Sequence, residues 1–114
     1  MGKTLWARSL GKHLYFAGLF NMEEIYSADE VGYAVFDDMQ GGFEFFHGYK
    51  FWLGAQKEFC VTDKYKGKKH LPWGKPSIWL CNNDPSTEKV DYDWLLGNCV
   101  IVHLRQTIFR ASTE

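Results

Sequence analysis

The sequence is poor in the features that define several common protein classes. Its 114 residues include only three cysteines, Cys60, Cys81 and Cys99, with no C-x-x-C pair, which argues against a zinc ribbon or a thioredoxin-like site. No apolar run approaches the roughly 18–20 residues that cross a bilayer, and no signal-peptide pattern opens the chain. An odd number of cysteines without pairing spacings fits reduced thiols. We therefore expect a soluble protein of a reducing compartment, with no membrane partner and with three buried, inert cysteines.

Net charge is also nearly absent. There are 13 basic and 14 acidic side chains, which excludes a uniformly basic nucleic-acid binder but allows a basic patch. The apolar fraction of 46% and the aromatic fraction of 18% are typical of a globular protein. The length allows one domain. We expect a single domain over residues 1–114.

The charge is unevenly distributed along the chain. Residues 49–75 contain seven lysines and two acidic residues, a local charge of +5, so the remaining residues carry −6. The densest part contains a glycine and precedes a proline, which is typical of a loop or hairpin tip. Aromatic side chains lie among its lysines, a pattern suited to holding phosphates and stacking on bases. A solvated turn is the alternative; we favour a polynucleotide-binding loop that uses Lys64, Lys66, Lys68 and Lys69.

Short apolar runs alternate with polar or helical segments, which predicts an α/β sheet rather than a sandwich. Buried strands are predicted over residues 14–17, 33–36, 77–81 and 99–102. A helix is predicted over residues 4–10, where Gly11 would end it. A second helix is predicted over residues 43–59, because Phe51, Trp52, Ala55 and Phe59 lie at helical spacing.

The chain opens on part of a phosphate-binding pattern. Gly2-Lys3-Thr4, followed by a helix, matches the end of the loop G-x-x-x-x-G-K-[ST]. Such a loop uses backbone N–H groups and a helix N-terminus to cradle phosphate, a lysine on the β- and γ-phosphates, and a hydroxyl on Mg²⁺. The three residues are common by chance, and the sequence begins inside the pattern. Alone they are a weak signal.

Two apolar strands end in polar side chains that would complete such a site. Asp37 and Asp38 follow one strand, where one carboxylate would hold the water shell of Mg²⁺ and the next would polarise an attacking water. Asn82 follows another, where it could contact a γ-phosphate and orient that water. Each alone could be an ordinary acidic or Asx turn. Because Lys3 precedes Asp38 by 35 residues and Asp38 precedes Asn82 by 44, a helix and a return strand fit between them, and the carboxyl ends of strands can gather all three.

These stretches together resemble the superfamily 3 helicase domain of replication-associated proteins from circular single-stranded DNA viruses. The likeness is greatest to genomoviruses (gemycircularviruses), with geminiviruses next, and it rests on residues 2–11, 33–39, 52–57, 62–65 and 76–82. It implies a P-loop NTPase-like fold of the ASCE/AAA+ type, a parallel sheet with flanking helices, here without the strand before the phosphate loop. It also implies an ATP-dependent DNA helicase domain of a rolling-circle replication initiator that works in the host nucleus.

The resemblance implies a role for each matching residue. It makes Gly2, Lys3 and Thr4 the ATP-binding residues and Thr4 and Asp37 the Mg²⁺-binding ones. It makes Asp37, Asp38 and Asn82 catalytic, and it places residues 64–69 in a hairpin that contacts single-stranded DNA. Proteins of this type act as ring-shaped homo-oligomers in which an arginine completes the neighbouring ATP site. Arg105 and Arg110 are the two candidates for that arginine.

The sequence also departs from the full-length pattern. Complete members carry an N-terminal endonuclease domain with paired histidines and a nucleophilic tyrosine, and no H-x-H occurs here. The Y-x-x-K match that begins at Tyr65 is treated as coincidental for that reason. Because the phosphate loop is incomplete, a second interpretation is a catalytically incomplete fragment that only binds single-stranded DNA or self-associates. A third, an ordinary α/β domain with chance motifs, is the least favoured.

Overall fold

The fold contains a parallel sheet, an antiparallel hairpin and short helices that connect and cover them. The computed structural model describes residues 2–63 and 67–102. In chain order the elements are α1 (Lys3–Arg8), β1 (His13–Ala17), a 3₁₀ helix (Met22–Glu30), β2 (Tyr33–Asp37), α2 (Gly42–Phe45), α3 (Tyr49–Leu53), β3 (Glu58–Asp63), β4 (Gly67–Pro72), β5 (Ser77–Leu80), a short 3₁₀ helix (Pro85–Thr87) and α4 (Tyr92–Asn98).

The parallel sheet has the order β1-β2-β5. Ala34 on the central strand is opposite Leu14 on β1 and opposite Ser77 on β5. A central parallel strand is covered on both faces and so is built from a continuous apolar run; Ala34, Val35 and Phe36 are all fully buried. The prediction of an α/β fold with a parallel sheet is confirmed. The strands predicted over residues 14–17, 33–36 and 77–81 correspond to β1, β2 and β5.

Side-chain alternation gives the sheet two different faces. Tyr33 and Val35 pack beneath α1 with Ala7 and Leu80. The Tyr33 hydroxyl also donates a hydrogen bond to the Ala7 carbonyl oxygen, which ties α1 to the sheet. Helix α1 ends at Arg8, two residues earlier than predicted, where the backbone N–H of Ser9 bonds to the Trp6 carbonyl.

The opposite face carries an aromatic core centred on Trp52, which is 2% exposed. Its ring centroid lies 5.2 Å from that of Phe36, 5.2 Å from that of Phe59 and 4.9 Å from that of Trp73, all in edge-to-face arrangements. Aromatic rings each bury roughly 150–250 Å², and at about 25 cal/mol per Å² each contributes about 4–6 kcal/mol before entropy is counted. This core holds the hairpin and α3 against the sheet.

The antiparallel hairpin of β3 and β4 covers one side of that core. Thr62 is opposite Lys68, and Cys60 is opposite His70. Phe59, Val61 and Leu71 point inward and are buried. The predicted hairpin is confirmed, although its tip, residues 64–66, lies outside the described residues.

The predicted helix over residues 43–59 is wrong. The segment forms two short helices, α2 and α3, followed by β3, which contains Phe59. Gly54 closes α3, and a Cβ there would lie 2.7 Å from the Lys50 carbonyl oxygen. The next residue, Ala55, has a φ of 52°, which no helix allows. Trp52 on α3 and Phe59 on β3 both point into this core, whereas Phe51 is 42% exposed, so their helical spacing does not come from one helix.

Two further expectations are also wrong. Residues 99–102 form no strand, and Val100 is 91% exposed. Cys99 and Ile101 instead pack beside Leu95, at the end of α4. The cysteines are not uniformly buried: Cys60 is exposed because it alternates with Phe59 and Val61 on β3, and Cys81 and Cys99 are half-buried. Burial raises the pKa of the Cys81 and Cys99 thiols, so both stay protonated near neutral pH.

Candidate active site

The carboxyl ends of β2 and β5 meet the start of α1 at one edge of the sheet. The Nζ of Lys3 donates to the backbone oxygen of Cys81 at 2.9 Å and to Oδ1 of Asn82 at 3.2 Å. These contacts join the first helix to a strand end almost 80 residues later in the sequence. The structure therefore brings together two residues that the sequence placed in one site.

Thr4 and Asp37 form the second part of the site. The Thr4 hydroxyl donates to Oδ2 of Asp37 at 2.8 Å. The Tyr15 hydroxyl donates to the same oxygen at 2.6 Å. That bond, with a smaller contribution from burial, raises the pKa of Tyr15, so its hydroxyl remains a donor at neutral pH. One carboxylate oxygen thus accepts two protein hydrogen bonds.

Asp38 follows in a strained backbone conformation. Its φ is 49°, in the left-handed region that costs a non-glycine residue roughly 1–2 kcal/mol. The backbone N–H of Asp38 donates to the Leu80 oxygen at 3.0 Å, which fixes this turn against β5. This conformation turns the chain away from β2 at Asp38, and the Asp38 side chain is exposed at the sheet edge.

Asp38 and Asn82 line one cleft of about 440 Å³, named here the Asp38–Asn82 cleft. Its wall also includes Gln40, Gly42 and Glu88. Glu88 accepts a hydrogen bond from the backbone N–H of Phe43 at 3.4 Å. Gly42 has a φ of 61°, a backbone conformation that favours glycine, and a Cβ there would lie 2.2 Å from Oε1 of Glu88. The cleft is lined by two carboxylates and three side-chain amides, those of Gln40, Asn82 and Asn83, beside the Lys3 contact.

The donor set at Asp37 and Thr4 fits a magnesium ion. A carboxylate and a hydroxyl are hard oxygen ligands, and Mg²⁺ in nucleotide sites is commonly held by one or two protein oxygens together with phosphates and water. The described residues contain no group of three or more His, Cys, Asp or Glu side chains arranged to hold a metal by themselves.

Two contributors to the site were missed from the sequence. The sequence places Tyr15 only in a predicted buried strand, and it marks no role for Glu88. The position of Tyr15 follows from the pairing of β1 with β2. Tyr15 is opposite Val35, and Asp37 lies two residues after Val35 on the same face of β2, so Tyr15 and Asp37 share that face. Nothing local marks Glu88, because it reaches the cleft through the loop before α4.

The hairpin lysines do not all occupy equivalent positions. Lys68 is exposed on the outer face of β4. Lys69 is partly covered, and its Nζ lies 4.5 Å from the ring centroid of Tyr26, within the range of a cation–π contact. Tyr26 belongs to the 3₁₀ helix, which also carries Glu23, Glu24, Asp29 and Glu30. Lys64, Lys66, Arg105 and Arg110 lie outside the described residues.

The chain is similar to replication-associated proteins of geminiviruses. It is 38% identical to that of Chloris striate mosaic virus over 109 aligned positions. It is 36% identical to that of Tobacco yellow dwarf virus (strain Australia) over 119 aligned positions and 38% identical to that of Bean yellow dwarf virus over 103. These matches cover 90%, 99% and 87% of the chain, but only 29%, 34% and 30% of the relatives. The chain thus spans about a third of each relative's length.

Other comparisons found no counterpart. No protein-family model matches the chain. No solved structure matches it either. Among the described residues, none of the helices has the length and apolar character needed to span a bilayer.

Proposed function

We propose that this chain is the ATP-hydrolysing helicase domain of a viral protein that initiates rolling-circle DNA replication. The observation that carries the proposal is the convergence of Lys3, Thr4, Asp37 and Asn82 at one sheet edge. The similarity to viral replication-associated proteins supports the role in replication. The grouping with genomoviruses, the P-loop NTPase identity and the host nucleus as its compartment stay predictions of the resemblance.

The proposed substrate is ATP bound with Mg²⁺. Lys3 is the cation that would hold the β- and γ-phosphates once it leaves Cys81 and Asn82. Thr4 and Asp37 would hold Mg²⁺, which when bound neutralises phosphate charge and orients the γ-phosphate. Asp38 and Asn82, on the Asp38–Asn82 cleft, would polarise and orient the attacking water. Groups that are already positioned would stabilise the charge that develops on the phosphate during transfer. Such electrostatic stabilisation is the main source of catalysis in sites of this kind.

Single-stranded DNA is the proposed polymer substrate. The exposed Lys68 and the hairpin tip would contact its phosphates, since the region from 49 to 75 carries +5. A ring-shaped homo-oligomer would place this hairpin in a central channel. Arg105 or Arg110 would then reach the ATP site of the neighbouring subunit. Both arginine assignments come from the resemblance alone.

A binding module without ATPase activity is the second candidate. It is favoured by the same hairpin, because exposed lysines bind DNA without help from a nucleotide site. It also fits the present contacts of Lys3, whose amine is satisfied by protein oxygens. The two candidates share the DNA surface and differ in whether ATP is turned over.

The test is DNA-stimulated ATP hydrolysis by the chain with its phosphate loop completed ahead of Gly2 to the full G-x-x-x-x-G-K-T pattern. We expect Lys3→Ala to abolish nucleotide binding, and Asp38→Asn to lower turnover by about 100-fold or more while binding persists. Lys12→Ala, an exposed lysine on the turn before β1, is the matched control for Lys3. Hydrolysis that both site variants leave unchanged would overturn the helicase assignment. Salt-sensitive DNA binding without any hydrolysis would favour the binding module.

A further inference from the structure

Tyr15 occupies a position that the proposed ATPase chemistry does not account for. Its hydroxyl lies 2.6 Å from Oδ2 of Asp37, the oxygen that also accepts the Thr4 hydroxyl at 2.8 Å. Among the described residues, no donor contacts the other oxygen, Oδ1. The two donors therefore fix one edge of the carboxylate and leave the second edge open.

Tyr15 is itself held at both its ring and its backbone. The guanidinium carbon of Arg8 lies 3.8 Å from the centroid of the Tyr15 ring. Arg8 is held in turn by a hydrogen bond from its Nε to Nε2 of His13 at 3.1 Å. The backbone N–H of Tyr15 donates to Oε1 of Glu24 at 2.9 Å, which anchors this part of β1 to the 3₁₀ helix.

We propose that Tyr15 is a positioning residue for the metal-binding carboxylate, holding Asp37 so that Oδ1 stays available to a hydrated magnesium ion. This inference rests on the proposed function, because it concerns the same site. Tyr15 touches neither nucleotide nor metal in this role; it acts through Asp37. Nothing in the local sequence of β1 marks it, and only the register between β1 and β2 brings its hydroxyl to Asp37.

The physical argument is one of preorganisation. A carboxylate at the end of a strand can rotate about its terminal bond, and a metal that needs one orientation must restrict that rotation. A donor already bound to one oxygen restricts it in advance. Partners that orient metal ligands in this way typically change metal affinity by about 10–100-fold when they are removed. A tyrosine suits the task because its ring is rigid and its hydroxyl donates to the carboxylate.

Tyr15→Phe is the decisive variant, since it removes one oxygen atom and keeps the ring that stacks with Arg8. Tyr92→Phe is the matched control, a half-buried tyrosine on α4 whose hydroxyl has no role in the site. Binding of Mn²⁺, used as a probe for the magnesium site, is measured by electron paramagnetic resonance in the presence of ADP, on the chain with its completed phosphate loop. Thermal unfolding of each variant reports separately on the fold.

We expect Tyr15→Phe to weaken Mn²⁺ binding by about 10-fold, while ADP binding without metal and the unfolding temperature stay close to those of the parent. In hydrolysis, the Mg²⁺ concentration for half-maximal rate rises, and saturating Mg²⁺ restores most of the turnover number. A merely structural role would not produce that recovery. Unchanged Mn²⁺ affinity in Tyr15→Phe overturns the inference, and so does a loss that Tyr92→Phe shares.

Asp37→Asn separates this inference from the proposed function. If Asp37→Asn weakens Mn²⁺ binding and Tyr15→Phe does not, the site stands and the positioning role fails. If the parent chain binds no Mn²⁺ with ADP, or if Asp37→Asn and Lys3→Ala leave binding unchanged, the proposed function fails and the positioning role falls with it.

Discussion

The amine of Lys3 lies 3.2 Å from Oδ1 of Asn82, so a side-chain hydrogen bond connects the first helix to the residue pair that follows β5. Lys3 also contacts the Cys81 backbone oxygen, which does not depend on a side chain. Substitution of Asn82 therefore removes the side-chain hydrogen bond to Lys3 and leaves the bond from Lys3 to the Cys81 backbone oxygen in place. This separation gives a direct test of what Asn82 contributes.

Asn82→Ala should lower ATP turnover by about 100-fold, because a positioned polar group that acts on the transition state is lost. Nucleotide affinity should change little, since Lys3, the residue proposed to hold the phosphates, keeps its charge. Steady-state hydrolysis and equilibrium nucleotide binding measure the two effects on the chain with its completed phosphate loop. The control is Asn98→Ala, at the end of α4 and away from the site. Equal losses in both variants would contradict a specific role for Asn82.

The backbone at Asp38 predicts an unusual order of stability. With φ at 49°, Asp38 is in a conformation that glycine adopts without strain and alanine does not. Asp38→Gly should therefore be more stable than Asp38→Ala by about 1 kcal/mol, the reverse of the order in a helix. Urea unfolding of the two variants measures the difference. Both should lack ATPase activity, so stability and activity separate at this position. Equal stabilities would show that no strain is held here.

The Asp38 turn illustrates how much of the fold and the site the sequence could predict. Apolar runs at residues 14–17, 33–36 and 77–81 predicted an α/β sheet, and the resemblance to viral replication-associated proteins implied that the sheet is parallel; a covered parallel strand is apolar on both faces. Polar residues at the ends of those runs predicted which side chains would gather. Chain order and spacing predicted that Lys3, Asp38 and Asn82 would gather; in the structure Lys3 contacts Asn82, and Asp38 and Asn82 line one cleft.

Residues 43–59 could not be predicted in the same way. Their aromatic side chains repeat at a helical period, yet Trp52 and Phe59 meet across α3 and β3 with ring centroids 5.2 Å apart. Period alone does not distinguish one helix from a short helix followed by a strand when both face a single core. Gly54 and the left-handed Ala55 end α3 before β3 begins, and no sequence pattern marks a positive φ at an alanine. The Tyr15 contact was hidden for a related reason, since it depends on strand register.

The hairpin predicts unequal roles for its two described lysines. Lys68→Ala should weaken single-stranded DNA binding several-fold and reduce the slope of log affinity against log salt by about 0.7, the value for one phosphate contact. Lys69→Ala should weaken binding less, because its amine is engaged with Tyr26. Fluorescence anisotropy with a labelled oligonucleotide over a salt series measures both, with Lys12→Ala as the control for lost charge. A larger effect from Lys69 would contradict this assignment.

Asp91 predicts a pH dependence of stability. Its Oδ2 lies 2.8 Å from the Lys50 amine, and its Oδ1 accepts the backbone N–H of Trp94 at 3.2 Å, capping α4. The hydrogen bond from Lys50 and then the cap lower the pKa of Asp91 below its ordinary value near 4. A carboxyl whose pKa is lower in the folded state adds stability above its unfolded pKa and loses it as pH falls through the folded value. Because both side chains are nearly half exposed, solvent keeps the effect small.

Two substitutions separate the ion pair from the cap. Asp91→Asn keeps a capping oxygen and removes the charge, so its melting temperature should lie slightly below that of the parent at pH 7. This deficit should shrink as the pH falls through the lowered pKa of Asp91. Asp91→Ala removes both, so it should melt lower at each pH. Thermal unfolding followed by circular dichroism measures this, with Asp93→Asn, an exposed residue in the first turn of α4, as the control for charge alone. A deficit in Asp91→Asn that does not shrink as the pH is lowered would contradict the ion pair as its cause.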